Sequence, residues 1–121
     1  MTVLDASALL AFLAGEEGAD LVERHLGPRA RCGAANWAEV AQKIRAAGAD
    51  WPAARALLAS YGLRVEPVVA EDAERAAELW RLGSGLSLAD RLCLALGDRL
   101  EAGIMTADRA WRGHRGVELI R

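Results

Sequence analysis

Thr2-Val3-Leu4-Asp5-Ala6-Ser7-Ala8-Leu9-Leu10-Ala11-Phe12-Leu13 opens the chain, and its reading decides the fold. Thr2-Val3-Leu4 has the character of a short buried strand, and Ala8, Leu9, Phe12 and Leu13 then recur at helical spacing. A strand therefore runs straight into a helix, with Asp5 at the joint. In a parallel α/β sheet such a joint lies at the carboxyl edge, where ligands bind in the crevice beyond the strand ends. An acid there is either a helix N-cap, accepting bonds from free backbone N–H groups, or a metal ligand with Ser7 as its polar support. Asp5 alone does not choose between the two; the rest of the chain has to.

Beyond the first helix, Gly15 and Gly18 flank Glu16-Glu17, Ala19–Leu26 predicts a short helix, and Gly27-Pro28 closes it. Arg29–Ala34 reads as a weak strand. Trp37, Val40, Ala41 and Ile44 then form an amphipathic stripe, with Asn36 as the expected N-cap and Glu39 as its capping-box partner. Asp50-Trp51-Pro52 starts another helix, which runs to about Tyr61. Leu63–Val69, interrupted at Pro67, reads as an edge strand. Ala73, Ala76, Ala77 and Trp80 carry the next helical stripe. Gly83-Ser84-Gly85 ends it, and Ser87 and Asp90 form a capping pair for a helix whose expected buried stripe is Ala89, Leu92, Cys93, Leu96 and Leu100. Gly103–Thr106 and Val117–Ile120 are the last strands, joined by a loop that begins Ala107-Asp108-Arg109.

This alternation predicts an α/β protein, a three-layer α/β/α sandwich with a mainly parallel central sheet, folded as a single domain over residues 1–121. At 121 residues the chain buries enough surface for a core without disulfides or metal staples. Cys32 and Cys93 lack any metal-site spacing and are expected to be buried free thiols. The apolar run Ala6–Ala14 is far shorter than the roughly 20 residues a membrane span requires, so a cytoplasmic protein with no membrane association is expected. A net charge of −2 argues against nonspecific coating of nucleic acid but leaves room for a local basic rim. All the basic residues except Lys43 are arginines, a side chain suited to bidentate phosphate contacts.

Right-handed crossovers turn the helices antiparallel to the strands, so their N-termini gather at the carboxyl edge. Asp5 follows the first strand, Glu39 and Asp90 fall in first helical turns, and Asp108 lies just past the fourth main strand. Four acids are thus expected in one crevice. Carboxylates crowded within about 4–6 Å disfavour one another's charge, and a divalent cation removes the conflict. An all-oxygen donor set without His or Cys points to Mg²⁺ or Mn²⁺, ions that orient and activate phosphodiesters.

The ordered set Val3-Leu4-Asp5-Ala6-Ser7, Asn36-Trp37-Ala38-Glu39-Val40, Leu86-Ser87-Leu88-Ala89-Asp90 with Cys93-Leu94-Ala95-Leu96, and Thr106-Ala107-Asp108-Arg109-Ala110-Trp111 resembles the PIN-domain nucleases. Within them it is most similar to the VapC-type toxins of toxin–antitoxin modules. The resemblance implies that Asp5, Glu39, Asp90 and Asp108 are the catalytic, metal-binding acids, with Thr106 and Ser7 in support. It also implies a Mg²⁺- or Mn²⁺-dependent endoribonuclease, a homodimer, and a cognate antitoxin protein that inhibits by occupying the cleft. RNA as the substrate comes from the resemblance, since the residues themselves do not separate RNA from DNA. Arg91, Arg109, Arg112 and Arg115 are the candidates for RNA binding, the alternative being surface pairs with Asp98, Glu101 or Glu118. Trp111, beside Asp108, is the one candidate for base stacking, with packing the favoured reading even there, whereas Trp37 and Trp80 are expected to pack in the core or at a dimer seam. Two rival functions are a noncatalytic binding module of the same fold and a metal-dependent phosphatase. An aspartyl-phosphate phosphatase, however, would want a second acid where Ser7 stands.

Overall fold

The computed structural model describes all residues, Met1–Arg121. Five short strands, β1 (Thr2–Leu4), β2 (Ala30–Gly33), β3 (Arg64–Glu66), β4 (Gly103–Thr106) and β5 (Val117–Leu119), form one sheet in the order β3-β2-β1-β4-β5. Every neighbouring pair is parallel, with Val3 opposite Arg31 on one side and Ile104 on the other. The connections carry α1 (Ala6–Ala14), α2 (Ala19–His25), α3 (Ala34–Ala46), α4 (Trp51–Ser60), α5 (Ala70–Glu78) and α6 (Leu88–Leu100). No helix is long and apolar enough to cross a membrane.

The period of two along each strand divides the core. Leu4 and Met105 face a cluster built with Ala8, Leu9, Val22, Val40 and Leu58 from α1–α4, while Val3 and Ile104 face Cys93, Leu94, Leu96 and Trp111 on the other side. These are the expected three layers. Gly97 lies inside α6 despite its weak helix propensity because a Cβ there would sit 2.5 Å from the Ile104 side chain. Glycine lets α6 lie flat on β4.

Two local expectations fail. Helix α3 starts at Ala34 and is capped by Gly33, so Asn36 and Glu39 are not its capping box. Helix α5 turns Asp72 and Ala76 inward and leaves Ala73, Ala77 and Trp80 exposed. The physical reason is the bidentate bond from the Arg99 guanidinium to Asp72 (2.8 and 3.1 Å), which fixes the face that α5 turns to α6. The Asp72 carboxylate also accepts from the Val69 backbone N–H, at 3.3 Å.

A candidate acidic metal-binding site

Asp5 lies where β1 becomes α1. Its backbone N–H donates to the Met105 carbonyl at 3.1 Å, extending the β1–β4 ladder by one residue, and its carboxylate Oδ1 caps α1 by accepting from the Ala8 N–H at 2.8 Å. Thr106 Oγ1 donates to Oδ2 at 2.6 Å, and Ser7 Oγ lies 2.7 and 2.9 Å from the two carboxylate oxygens. Both hydroxyls in turn accept backbone bonds, Ser7 from Ala107 N–H (2.9 Å) and Thr106 from Asp108 N–H (3.0 Å). The two hydroxyl oxygens also lie 3.1 Å apart, so Ser7 and Thr106 form one network around the Asp5 carboxylate. An ionised carboxylate has about four acceptor sites, and three are filled; one remains for a ligand.

The buried Asp5 is pushed up to about 6 from 3.8, chiefly by loss of solvent; the bonds from Thr106, Ala8 and Ser7 oppose the shift and the charge of Asp90 adds to it. Glu39 is also raised, first by burial and then by Asp90, with Lys43 pulling the other way. Asp90 is therefore the charge that bears on both neighbours. It receives the Ser87 N–H on Oδ2 (2.9 Å), while Ser87 Oγ accepts from the Asp90 N–H (3.1 Å), the expected capping pair of α6. Oδ1 of Asp90 is left free by that arrangement. Beneath them, burial raises the thiols of Cys32 and Cys93, and the surrounding carboxylates raise them further. Neither sulfur is a thiolate nucleophile at neutral pH.

Asn36, expected as a cap, is a clamp. It is buried within α3, accepts from the Ala6 N–H at 3.2 Å and donates from Nδ2 to the Ala89 carbonyl at 3.0 Å. One amide thus ties the first turn of α1 to the first turn of α6 and holds Asp5 beside Asp90. The sequence signal for this role was an amide four residues before buried Val40, on the inward stripe of α3.

Asp5, Glu39 and Asp90 are brought to one edge. Asp108 is exposed, and its Oδ1 caps the single 3₁₀ turn Arg109–Trp111 by accepting from Ala110 N–H at 2.9 Å; its charge is not among those that perturb Asp5 or Glu39. No group of three or more acidic, His or Cys side chains is close enough to hold a metal by itself. Mg²⁺ and Mn²⁺ sites commonly use one or two carboxylates and complete the shell with water, so the donors present fit such an ion. The free sites on Asp5 and Asp90 are hard oxygens, and the raised Asp5 and Glu39 mark a place where positive charge is wanted.

The sequence matches the PIN domain over residues 2–116. The chain belongs to the PIN domain family. No curated protein matches the sequence. Among solved structures, a toxin–antitoxin complex from Klebsiella pneumoniae superposes on this PIN domain with a TM-score of 0.84 at 20% identity, covering 100% of this chain and 98% of that one. VapC20 of Mycobacterium tuberculosis, a toxin that cleaves the Sarcin-Ricin loop, gives 0.69 at 21% identity over 88% of each chain. DNA-bound VapBC from Salmonella typhimurium gives 0.73 at 15% identity, covering 99% and 98%. These likenesses establish the shared fold.

The basic candidates of this PIN domain divide by position. Arg91 donates to the Ala76 carbonyl at 2.7 Å and so ties α6 to α5 rather than facing a substrate. Arg115 lies with Gly97, Glu101, Gly103 and Gly116 around one hollow, at the amino edge of the sheet, opposite the acids. Arg109 and Arg112 flank the 3₁₀ turn behind Asp108 and are exposed, and none of the ion pairs of the structure includes either. Asp98, one of their alternative partners, is held by Arg75 at 3.0 Å. Trp111 is fully buried, so it does not stack on a base.

Proposed function

We propose that this PIN domain is a Mg²⁺- or Mn²⁺-dependent endoribonuclease, the toxin of a toxin–antitoxin pair, acting as one domain over residues 1–121. The observation that carries the reading is the buried Asp5 carboxylate at the sheet edge, oriented by three donors with one acceptor site free and the Asp90 charge beside it. Asp5 and Asp90 would hold the cation, Glu39 would share its charge, and Asp108 would join through its uncapped oxygen. When bound, such an ion supplies charge neutralisation at the phosphodiester and lowers the pKa of water.

The protein's own groups do the positioning. Ser7 and Thr106 orient the Asp5 carboxylate and neither is bonded to a histidine, and the thiols are buried and protonated. Water is then the attacking group, with no covalent intermediate on the protein. Arg109 and Arg112 offer phosphate contacts on the Asp108 side of the cleft. Support for RNA and for an antitoxin partner comes from the neighbours named above, a Sarcin-Ricin-loop-cleaving toxin and toxin–antitoxin complexes. A homodimer in the cytoplasm belongs to the same reading.

The test is cleavage of RNA in Mg²⁺ or Mn²⁺. Activity abolished by EDTA and by Asp5→Asn or Asp90→Asn, in proteins that keep the native circular dichroism, is expected. Full activity in either variant would refute the assigned site.

A further inference from the structure

Lys43 is the only lysine in the chain. It lies on α3, four residues after Glu39 and seven after Asn36, a spacing that puts all three on one face of the helix. Asn36 and Val40 are the only buried residues of α3. The face that Asn36 turns toward α1 and α6 therefore continues uncovered past Val40, and Lys43 on it is exposed. At 1.5 Å per residue its Cα stands about 6 Å further along the axis than that of Glu39, at the mouth of the acid cleft. Its charge reaches Glu39, where it opposes the burial and the Asp90 charge that raise that carboxyl. None of the ion pairs of the structure includes Lys43.

A metal ion at the acids and the Lys43 ammonium repel each other, so the lysine is not there for the metal. An anion satisfies both, meeting the metal with one oxygen and the ammonium with another. The topology places this cation opposite those already described. Helix α3 leaves β2, the turn behind Asp108 leaves β4, and β1 with Asp5 lies between them. Lys43 and the Arg109–Arg112 pair thus flank the acids from two sides. An ammonium on a flexible four-carbon stem makes a point contact with phosphate and needs no fixed plane to do so.

We propose that Lys43 is a substrate-positioning residue that binds a backbone phosphate on the α3 side of the cleft, so that the chain being cut is held across the acids from both flanks; this rests on the nuclease reading of the acid site. The contact is made through the phosphate alone and adds grip and register without reading a base.

The experiment measures fluorescence anisotropy of a labelled oligoribonucleotide with the Asp5→Asn protein at several salt concentrations. Lys43→Gln should weaken binding and flatten the slope of log affinity against log salt by about 0.7, the loss of one phosphate contact. Lys43→Arg keeps the charge and should keep the slope. Arg45→Gln removes an equally exposed charge on the far side of α3, beside Trp51 and Pro52, and should leave the slope unchanged. With Asp5 intact, Lys43→Gln should bind Mg²⁺ as tightly as wild type or more tightly, read as the shift in Tm against metal concentration, because a like charge has been removed. A slope unmoved by Lys43→Gln overturns the proposal, leaving the lysine a solvated surface charge. Equal flattening by Arg45→Gln also overturns it, since net charge and not position would then set the affinity. Weaker Mg²⁺ binding in Lys43→Gln does so too, making the lysine a support of the acids. Wild-type cleavage in Mg²⁺, measured alongside, separates the two readings: cleavage with an unmoved slope removes only the Lys43 contact, and a Lys43-dependent slope without cleavage removes only the nuclease.

Discussion

Burial of Asp5 has a thermodynamic consequence that can be measured without substrate. Its carboxyl titrates at about 6 in the folded protein and at 3.8 when solvated, so the native state binds the proton more tightly than the unfolded chain. Stability tied to this proton is fully present below about pH 4 and is lost as pH rises through about 6. A shift of roughly two units corresponds to about 3 kcal/mol, of which about 2 kcal/mol falls between pH 4.5 and pH 7.5. Other carboxylates titrate over the same range, so the informative quantity is the difference between wild type and Asp5→Asn at each pH, measured by urea unfolding in EDTA. Asn keeps the shape and an oxygen for the Ala8 N–H but carries no charge. Relative to the variant, the wild type should lose about 2 kcal/mol across that window, or about 8 °C in Tm for a domain of this size. Mg²⁺ at about 100 times its Kd should return roughly 2.7 kcal/mol to the wild type at neutral pH and much less to the variant. A difference that stays flat with pH, or metal stabilisation equal in both proteins, would refute the argument that Asp5 is an ionised group held against its desolvation.

The same geometry makes three other predictions. Replacing Arg109 and Arg112 together should flatten the slope of log affinity for single-stranded RNA against log salt by roughly one unit or more, whereas Arg115→Ala, at the opposite edge, should leave it unchanged. Asn36→Ala leaves the Ala6 N–H and the Ala89 carbonyl without the amide, and should cost about 2 kcal/mol in urea unfolding while reducing cleavage more than the stability loss accounts for. Arg99→Met strands the Asp72 carboxylate, 3% exposed, with a single backbone donor, and should cost about 2–3 kcal/mol after allowance for the partly solvated guanidinium; Arg75→Met, whose pairs with Glu78 and Asp98 are exposed, should cost under about 1 kcal/mol.

What was legible in the sequence was what is local. The β1–α1 joint shows because the period changes at one residue, and the Ser87–Asp90 cap shows because both partners lie within one turn. The helix expected to open at Asp50-Trp51-Pro52 does so, with Asp50 capping α4 by accepting from Ala53 N–H at 3.0 Å. Asn36 was misread because its partners lie 30 and 53 residues away, and no spacing rule reaches that far. The exposure of Trp80, expected to pack, has the same origin. In α5 a long-range ion pair, Arg99 with Asp72, holds an acidic rather than an alanine position inward, and Trp80, two residues past the helix, is left outside. Trp111 follows Asp108 in a loop, where packing was the favoured reading over stacking, and the 3₁₀ turn rolls it into the cluster with Val3 and Ile104.

The choice between capping and ligation, posed at Asp5 by the sequence, dissolves in the structure. Asp5, Asp90 and Asp108 all bond a backbone N–H at the start of a helix or turn, and each cap spends only part of the carboxylate: Oδ1 of Asp5, Oδ2 of Asp90, Oδ1 of Asp108. A carboxylate fixed by one oxygen has lost most of its rotamer freedom before any ligand arrives, so the ordering cost of binding is already met by the fold. Capping is in that sense preorganisation. Glu39, more than a turn inside α3, caps nothing and lacks this restraint. Of the four acids it would lose the most side-chain freedom on meeting a cation, and Glu39→Gln should therefore weaken Mg²⁺ binding, read as the shift in Tm against metal concentration, less than Asp5→Asn does.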